Sequence, residues 1–303
     1  MSLLFIFVDG IGLASREHLN PMDHKTYQSL NVLTGGQPFD QRAQDIQHRT
    51  QLFKAVDACL KIEGLPQSGT GQAALFSGEN ASKIAGRHFG PYPHSKTRPL
   101  LNSKSLFGRA SSLGVSCHFL NAYPDIFFRK MNKTNRWTCT TFMAKKAGIP
   151  LNTTKDILAG NAITADLTQQ WWSDNLDVSI HIPVISPHEA ALRVLDAMSD
   201  YELLLYEYYL TDKAGHKQDT SYAHKIFKPL DDFLWSIINL RNDGDSIVLC
   251  SDHGNLEDLS TKSHTRNPVP LTVIGPAAPY FQHAESIMDV TPNIIRYLSD
   301  AQK

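Results

Sequence analysis

No stretch of this chain stays apolar over the roughly 20 residues that a membrane-spanning helix needs, so no span is expected. Charge of one sign is not in excess either: 29 Lys and Arg stand against 30 Asp and Glu, a net charge of −1. A general affinity for nucleic acid or for an anionic membrane surface is therefore not expected. Cysteine is scarce. Cys59, Cys117, Cys139 and Cys250 are scattered without CxxC spacing, and two of them lie in apolar, strand-like runs. They read as reduced, mostly buried thiols, which favours a cytoplasmic protein. The apolar start lacks the basic flank and small-residue cleavage site of a secretory leader and ends in Asp9-Gly10, so it reads better as a first core strand. P-loop, GxSxG and HExxH patterns are absent. Gly69 to Ala74 fits GxGxxA, but no apolar strand runs into it, which discounts a dinucleotide fingerprint.

What is present is a set of short apolar runs with chemistry at their ends. The 303 residues suffice for one large α/β domain or a core with a smaller companion. Leu3 to Val8, Val115 to Leu120, Leu203 to Tyr209, Ser246 to Cys250 and Leu271 to Ile274 read as strands, the first continuous enough to be buried on both faces of a parallel sheet. The first ends in Asp9-Gly10-Ile11-Gly12, and open α/β sheets place their ligands at the carboxyl ends of strands. A plain Asp-Gly turn fits that stretch equally well. The third ends in Asp212 and His216, a DxxxH spacing that puts both side chains on one face if a helical turn follows. The fourth ends in Ser251-Asp252-His253-Gly254-Asn255, with His264 a short loop later. A turn at Gly254 can bring Asp252 and His253 onto one centre, although the pair alone reads as a turn Asp beside a surface His.

Between these strands lies Ser68-Gly69-Thr70-Gly71, small residues that open a short predicted helix. A hydroxyl there is placed to act as a nucleophile, because helix-terminal amides favour a phosphate and a metal ion lowers the hydroxyl pKa. The commoner role of such a Ser68 or Thr70 is an N-cap. Three Asp, three His and one hydroxyl, all at strand-to-loop junctions, are what a pair of divalent ions needs.

Helices are expected over Gln51 to Cys59, from the spacing of Leu52, Phe53, Val56 and Leu60, and over Ser105 to Leu113. Others are expected at Ser186 to Met198, which opens with a Ser N-cap and a Pro, at Ser221 to Leu240, and at the end of the chain from Met288. Residues 124–182 differ in character, mixing Phe127, Phe128 and Trp137 with Arg129, Lys130 and Arg136, and contain helix-like pieces around Thr138 to Ala147 and Thr153 to Leu158. This segment is expected to form a small cap over the active face. Its Arg129 and Arg136, against the alternative of a solvated charged face, and Asn121 just before it are the candidate substrate contacts.

With these pieces in order, the chain resembles the alkaline phosphatase superfamily, and within it the branch of cofactor-independent phosphoglycerate mutase and phosphopentomutase. The resemblance is carried by Val8 to Gly12, Thr70-Gly71 to Gly78, Asp212 to His216, Ser251 to Asn255, His264-Thr265 with Asn267-Pro268-Val269-Pro270, and Asp289 to Pro292. It covers both ends of the chain and little of 124–182. It implies an α/β fold, a mostly parallel sheet with helices on both faces, formed by 1–123 and 183–303 with 124–182 inserted. It implies two metal sites, one of Asp9, Thr70, Asp252 and His253 and the other of Asp212, His216 and His264, loaded with two divalent ions, zinc or manganese. The family's nucleophile position falls on Thr70, with Ser68 as the fallback. The activity implied is phosphoryl transfer on a small phosphorylated substrate, as a phosphatase through a phosphothreonine or, alternatively, as a phosphomutase. A sulfatase is disfavoured, since no cysteine begins a CxPxR signature. An inactive metal-binding relative serving as an interaction module is the remaining reading.

Overall fold

Leu3–Val8 is a six-residue strand, β1, with every side chain buried. Leu3, Phe5 and Phe7 face one apolar cluster, while Leu4, Ile6 and Val8 face a second. A strand apolar on both faces belongs inside a sheet covered on both sides. A computed structural model describes residues 1–15, 19–176 and 181–303 and places β1 there. The other strands are β2 (Ile46–Gln47), β3 (Gln51–Val56), β4 (Cys117–Phe119), β5 (Leu203–Tyr208), β6 (Ser246–Cys250) and β7 (Val269–Ile274). They form one sheet in the order β2-β3-β7-β6-β1-β5-β4. Its centre, β6-β1-β5-β4, is parallel, and the flank beyond β6 is antiparallel.

Helices cover both faces, as expected. Ser68–Ser77, Leu106–Ser112 and Val290–Ala301 contribute to the cluster on the Phe5 side. Pro187–Asp200 and Thr220–Leu240 contribute to the cluster on the Ile6 side. The Pro187–Asp200 helix has the foreseen Ser186 cap, completed by Glu189 as a reciprocal capping box. At about 1.5–3 kcal/mol per buried large side chain, β1 alone contributes on the order of 10 kcal/mol of gross apolar stabilisation.

One expected element is wrong. Gln51 to Cys59 does not form a helix; Gln51–Val56 is β3, antiparallel to β7. Leu52 packs on the Phe5 side and Phe53 on the Ile6 side. Because both faces are buried, two adjacent apolar residues mimic helical spacing, an ambiguity that periodicity cannot resolve in a short run.

Segment 124–182 contains the two foreseen helices, at Cys139–Lys146 and Thr154–Ala159, and two more at Asp125–Thr134 and Gln170–Asn175. Cys139, Met143 and Ala144 pack into the core on the Phe5 side. Ala122, Ile157, Ala162, Trp172 and Ile182 form a separate small cluster. Residues 177–180 of the segment lie outside the described residues. The four cysteines are free, Cys139 and Cys250 buried and the other two partly so. Among the described residues, no helix is long and apolar enough to cross a membrane.

Candidate metal centre

The parallel centre of the sheet explains why distant aspartates meet. β6, β1 and β5 are neighbours running the same way, so their carboxyl ends share one edge. Asp252, Asp9 and Asp212 follow those three ends. The chain turns at Gly10 with φ +72°, and a Cβ there would lie 2.8 Å from Asp212 Cα, so only glycine lets β1 leave so close to Asp212. Thr211 Oγ1 donates to Asp9 O at 2.6 Å, and Asn255 Nδ2 donates to Asp212 Oδ1 at 2.7 Å, stitching the three ends together. Asp212 and His216 lie one turn apart on the helix Leu210–Lys217, as their spacing foresaw.

Two groups of ligand atoms result. Asp9, Asp252 and His253 form one, and Asp212, His253 and His264 the other, with the atoms of each group within 4.8 Å of one another. His253 Nε2 lies 3.3 Å from Asp9 Oδ1 and 3.5 Å from Asp252 Oδ2. His264 Nε2 lies 3.4 Å from Asp212 Oδ1, and the His253 and His264 rings stack at 3.8 Å. His216 stands at the edge, its Nε2 3.4 Å from Asp212 Oδ2. His253 is thus shared between the groups instead of belonging to the Asp9 side alone.

The imidazoles are pre-set for a cation. His264 Nδ1 donates to Pro66 O at 2.7 Å and His216 Nδ1 to Lys262 O at 2.6 Å. His253 Nδ1 faces Gly254 O at 3.4 Å. A carbonyl oxygen only accepts, so the proton sits on Nδ1 and the Nε2 lone pair turns inward, the orientation typical of metal-ligating histidine.

The carboxylates also fit a metal. Asp9 Oδ1 and both oxygens of Asp252 are buried with no hydrogen-bond partner. Burial, with Asp252 and Asp212 nearby, raises the Asp9 pKa well above the usual carboxylate range. Burial, then Asp212, pushes Asp252 up to about 7, partly opposed by His264. Burial also works to raise Asp212, but without a bound cation His264 in its charged form donates from Nε2 as well, and this, with His253 and Asn255 beside it, outweighs burial and holds Asp212 low. His253 is pushed down to about 3 by burial and by His264. Burial works to lower His264, and its bonds to Asp212 and Pro66 overcome that and raise it. Buried anions of this density are costly unless cations neutralise them.

The two hydroxyls part company. Thr70, expected as nucleophile and ligand, is fully buried; its Oγ1 accepts from Phe89 N at 3.0 Å and faces Gln67 O at 3.3 Å. Ser68 Oγ instead lies 3.0 Å from His253 Nε2. A cavity of about 370 Å³ opens beside it, lined by Ser68, Asp212, His216 and His264, with Lys262 and Ser263 exposed at its mouth. Arg129, Arg136 and Asn121 are not among its lining residues. Asn121 spends its amide on the backbone of Glu207, at 2.8 Å in both directions, while Arg129 and Arg136 are exposed.

Sequence reasoning missed three residues. Glu207 is buried near the end of β5, pushed up to about 7 by burial, and accepts from Thr140 Oγ1 at 2.7 Å. Its signal was a lone acid inside an apolar strand. Glu257 is a buried carboxylate two residues past Asn255, visible only as an acid in a turn. Lys262 lies in an unmarked loop.

Residues 182–301 match the Metalloenzyme superfamily. They contain Asp212, His216, Asp252, His253 and His264. The chain also aligns with alkaline phosphatase from the Antarctic bacterium TAB5, covering 99% of this chain and 97% of that one, at a TM-score of 0.59 and 11% identity. Alkaline phosphatase from Shewanella sp. gives a TM-score of 0.57 at 13% identity, covering 98% of this chain and all of that one. The fold is alkaline-phosphatase-like, as the sequence resemblance implied. Among curated proteins, the 2,3-bisphosphoglycerate-independent phosphoglycerate mutase of Desulforudis audaxviator is 31% identical over 126 residues, 38% of this chain and 25% of the mutase. That of Legionella pneumophila is 27% identical over 127 residues, with 24% of its length covered. The chain spans about a quarter of the length of these curated relatives.

Proposed function

We propose that the chain is a metal-dependent phosphoester hydrolase in which Ser68 carries the phosphoryl group between substrate and water. The observation behind the reading is the convergence of inward-facing histidine Nε2 atoms and buried aspartates on a hydroxyl, Ser68 Oγ, 3.0 Å from His253 Nε2. Asp9, Asp252 and His253 would hold one divalent ion, and Asp212, His264 and His216 a second. Zinc and manganese both suit these mixed ligands. Bound there, such ions neutralise phosphoryl oxygens and lower the pKa of an attacking hydroxyl. Ser68 begins a ten-residue helix whose first-turn amides favour an incoming phosphate. Its oxygen attacks phosphorus as the substrate's alcohol oxygen leaves. Water then attacks the phosphoserine, restoring the hydroxyl and releasing inorganic phosphate.

The cavity suits a small substrate, and Lys262 at its mouth offers a cation to an anionic group. Exposure of His216, Lys262 and Ser263 there lets water reach Ser68, which favours hydrolysis over return of the phosphoryl group to the substrate. The mutase similarity keeps a phosphomutase as the second reading. Glu207 and Thr140 add oxygen donors near Asp9 that would suit magnesium, and a variant of the TAB5 phosphatase is described with magnesium in its M3 site. In this reading 124–182 is the cap, its exposed Arg129 and Arg136 facing the outer part of a substrate, and the free thiols fit a cytoplasmic setting.

The test is turnover of a panel of phosphomonoesters by the metal-loaded chain and by Ser68→Ala and Thr70→Val variants. Ser68→Ala is expected to keep its metal and lose turnover by about a thousandfold or more, with Thr70→Val within about tenfold of the parent. The reverse pattern returns the nucleophile to Thr70. A metal-loaded parent that turns over no phosphoester leaves only the inactive binding module.

A further inference from the structure

We propose that Glu257 is the positioning residue that fixes the spacing of the three loops that bear Asp9, Asp252 with His253, and His264; the inference rests on the metal-centre reading above. Glu257 is buried, with no solvent exposure. An ionised carboxylate offers about four acceptor positions, and here each is taken. Oε2 accepts from Gly12 N at 2.9 Å and from Asn255 N at 2.7 Å. Oε1 accepts from Asn267 Nδ2 at 2.9 Å and from Thr265 Oγ1.

Those four donors come from three of the four segments that carry candidate ligands, all but the helix of Asp212 and His216. Gly12 follows Asp9 by three residues, Asn255 follows His253 by two, and Thr265 is next to His264. A saturated carboxylate has no lone pair left for a metal ion, so Glu257 acts through the ligands it holds. The chain also clears space for it. A Cβ on Gly12 would lie 2.6 Å from Glu257 Cδ, and one on Gly254 would lie 3.0 Å from it. Two glycines of the ligand loops are thus explained by one carboxylate. All four partners are uncharged, so the acid is not one half of a structural ion pair.

Groups that orient metal ligands typically change metal affinity by about 10–100-fold when altered. Glu257→Gln keeps the shape but replaces one doubly accepting oxygen with an NH₂ that cannot accept. The experiment is competition of the full chain against a chromophoric chelator for zinc and for manganese, with unfolding midpoints recorded in excess chelator. Glu257→Gln is expected to weaken metal binding by about 10–100-fold. Asn267→Ala removes one donor from a half-buried loop side chain and serves as the milder variant. It is expected to weaken metal binding severalfold while its metal-free midpoint stays with the parent's. Unchanged metal affinity in Asn267→Ala and in any folded Glu257→Gln overturns the assignment, and so does a lowered metal-free midpoint with affinity intact, the mark of a merely structural acid. A parent that binds neither ion overturns the metal-centre reading and this inference with it; a parent that binds beside variants that bind equally well overturns only the role of Glu257.

Discussion

Stripping the metal should make this protein less stable as pH rises from 6.5 to 8, and loading it should remove that trend. The reasoning starts from buried acids. Asp9 is raised well above its usual range by burial and by Asp252, and burial pushes Asp252 and Glu207 each up to about 7. A carboxyl with a raised folded pKa holds its proton in the folded chain after the unfolded chain has lost it. Stability therefore falls with pH until the folded pKa is passed. His264, raised above 6.5 by Asp212 and Pro66 against the effect of burial, adds loss of the same sign over the lower part of this window. His253, His88 and His118, all lowered chiefly by burial, oppose this over the lower part of the window, where the unfolded imidazoles still hold part of a proton, and add nothing once pH is well above 6.5. Asp212, held low in the folded chain, is ionised in both states throughout. At about 1.4 kcal/mol per pH unit for each proton held, half a unit from Asp252 and half from Glu207 come to about 1.4 kcal/mol, and Asp9 adds loss of the same sign. Each kcal/mol lost should lower the metal-free midpoint by about 2 °C or more. Excess metal, at about 100–1,000 times its Kd, restores about 3–4 kcal/mol and binds more tightly as the ligands deprotonate. Calorimetric midpoints at three pH values, in chelator and in manganese, decide the matter. A chelated midpoint that climbs with pH, or two curves that run parallel, would refute the picture of buried carboxyls awaiting cations.

Three further outcomes follow from single contacts. Phe76→Ala should cost about 3–5 kcal/mol by denaturant unfolding, because its ring is fully buried edge-on against Phe5 at 5.9 Å and Phe7 at 5.3 Å. Gly10→Ala should weaken metal binding far more than Gly114→Ala: both have positive φ, but a Cβ meets Asp212 Cα at 2.8 Å in the first and nothing within 4 Å in the second. Equal effects on metal titration would show that the close approach to Asp212 is immaterial. Lys262→Met should raise KM for an anionic phosphoester by about tenfold with kcat nearly unchanged, since the His216 bond goes to the backbone carbonyl and survives the substitution. A fall in kcat alone would place the lysine's role elsewhere.

The fold was legible where local pattern and tertiary demand agree. β1 could be read because six apolar residues in a row leave few alternatives to a central strand, and the Asp at its end marks the sheet edge where ligands gather. The Pro187–Asp200 helix could be read because its capping signals lie within four residues of one another. β3 could not, since its two-sided burial depends on β7, which lies more than 200 residues later. Glu207 and Glu257 escaped for the same reason. Glu207 is a lone acid whose partner Thr140 is remote in sequence, and Glu257 has Asn255, Thr265 and Asn267 within ten residues, but only the fold turns these onto one carboxylate together with the distant Gly12.

The choice between Ser68 and Thr70 shows where sequence reasoning stops. Residues two apart on a helix point about 200° away from each other, so only one of the two can face the metal edge. Composition favours neither, as both are small hydroxyls in the first turn of the same helix. The direction is set by what comes against the helix from outside. Phe89 N reaches Thr70 Oγ1, and Thr70 N in turn reaches Phe89 O at 2.8 Å, locking the threonine face to the backbone of Phe89. The opposite rotation leaves Ser68 toward His253. The contact with Phe89 thereby determines which oxygen is turned toward His253. Turning the Thr70 hydroxyl to that edge would require releasing the Phe89 contact.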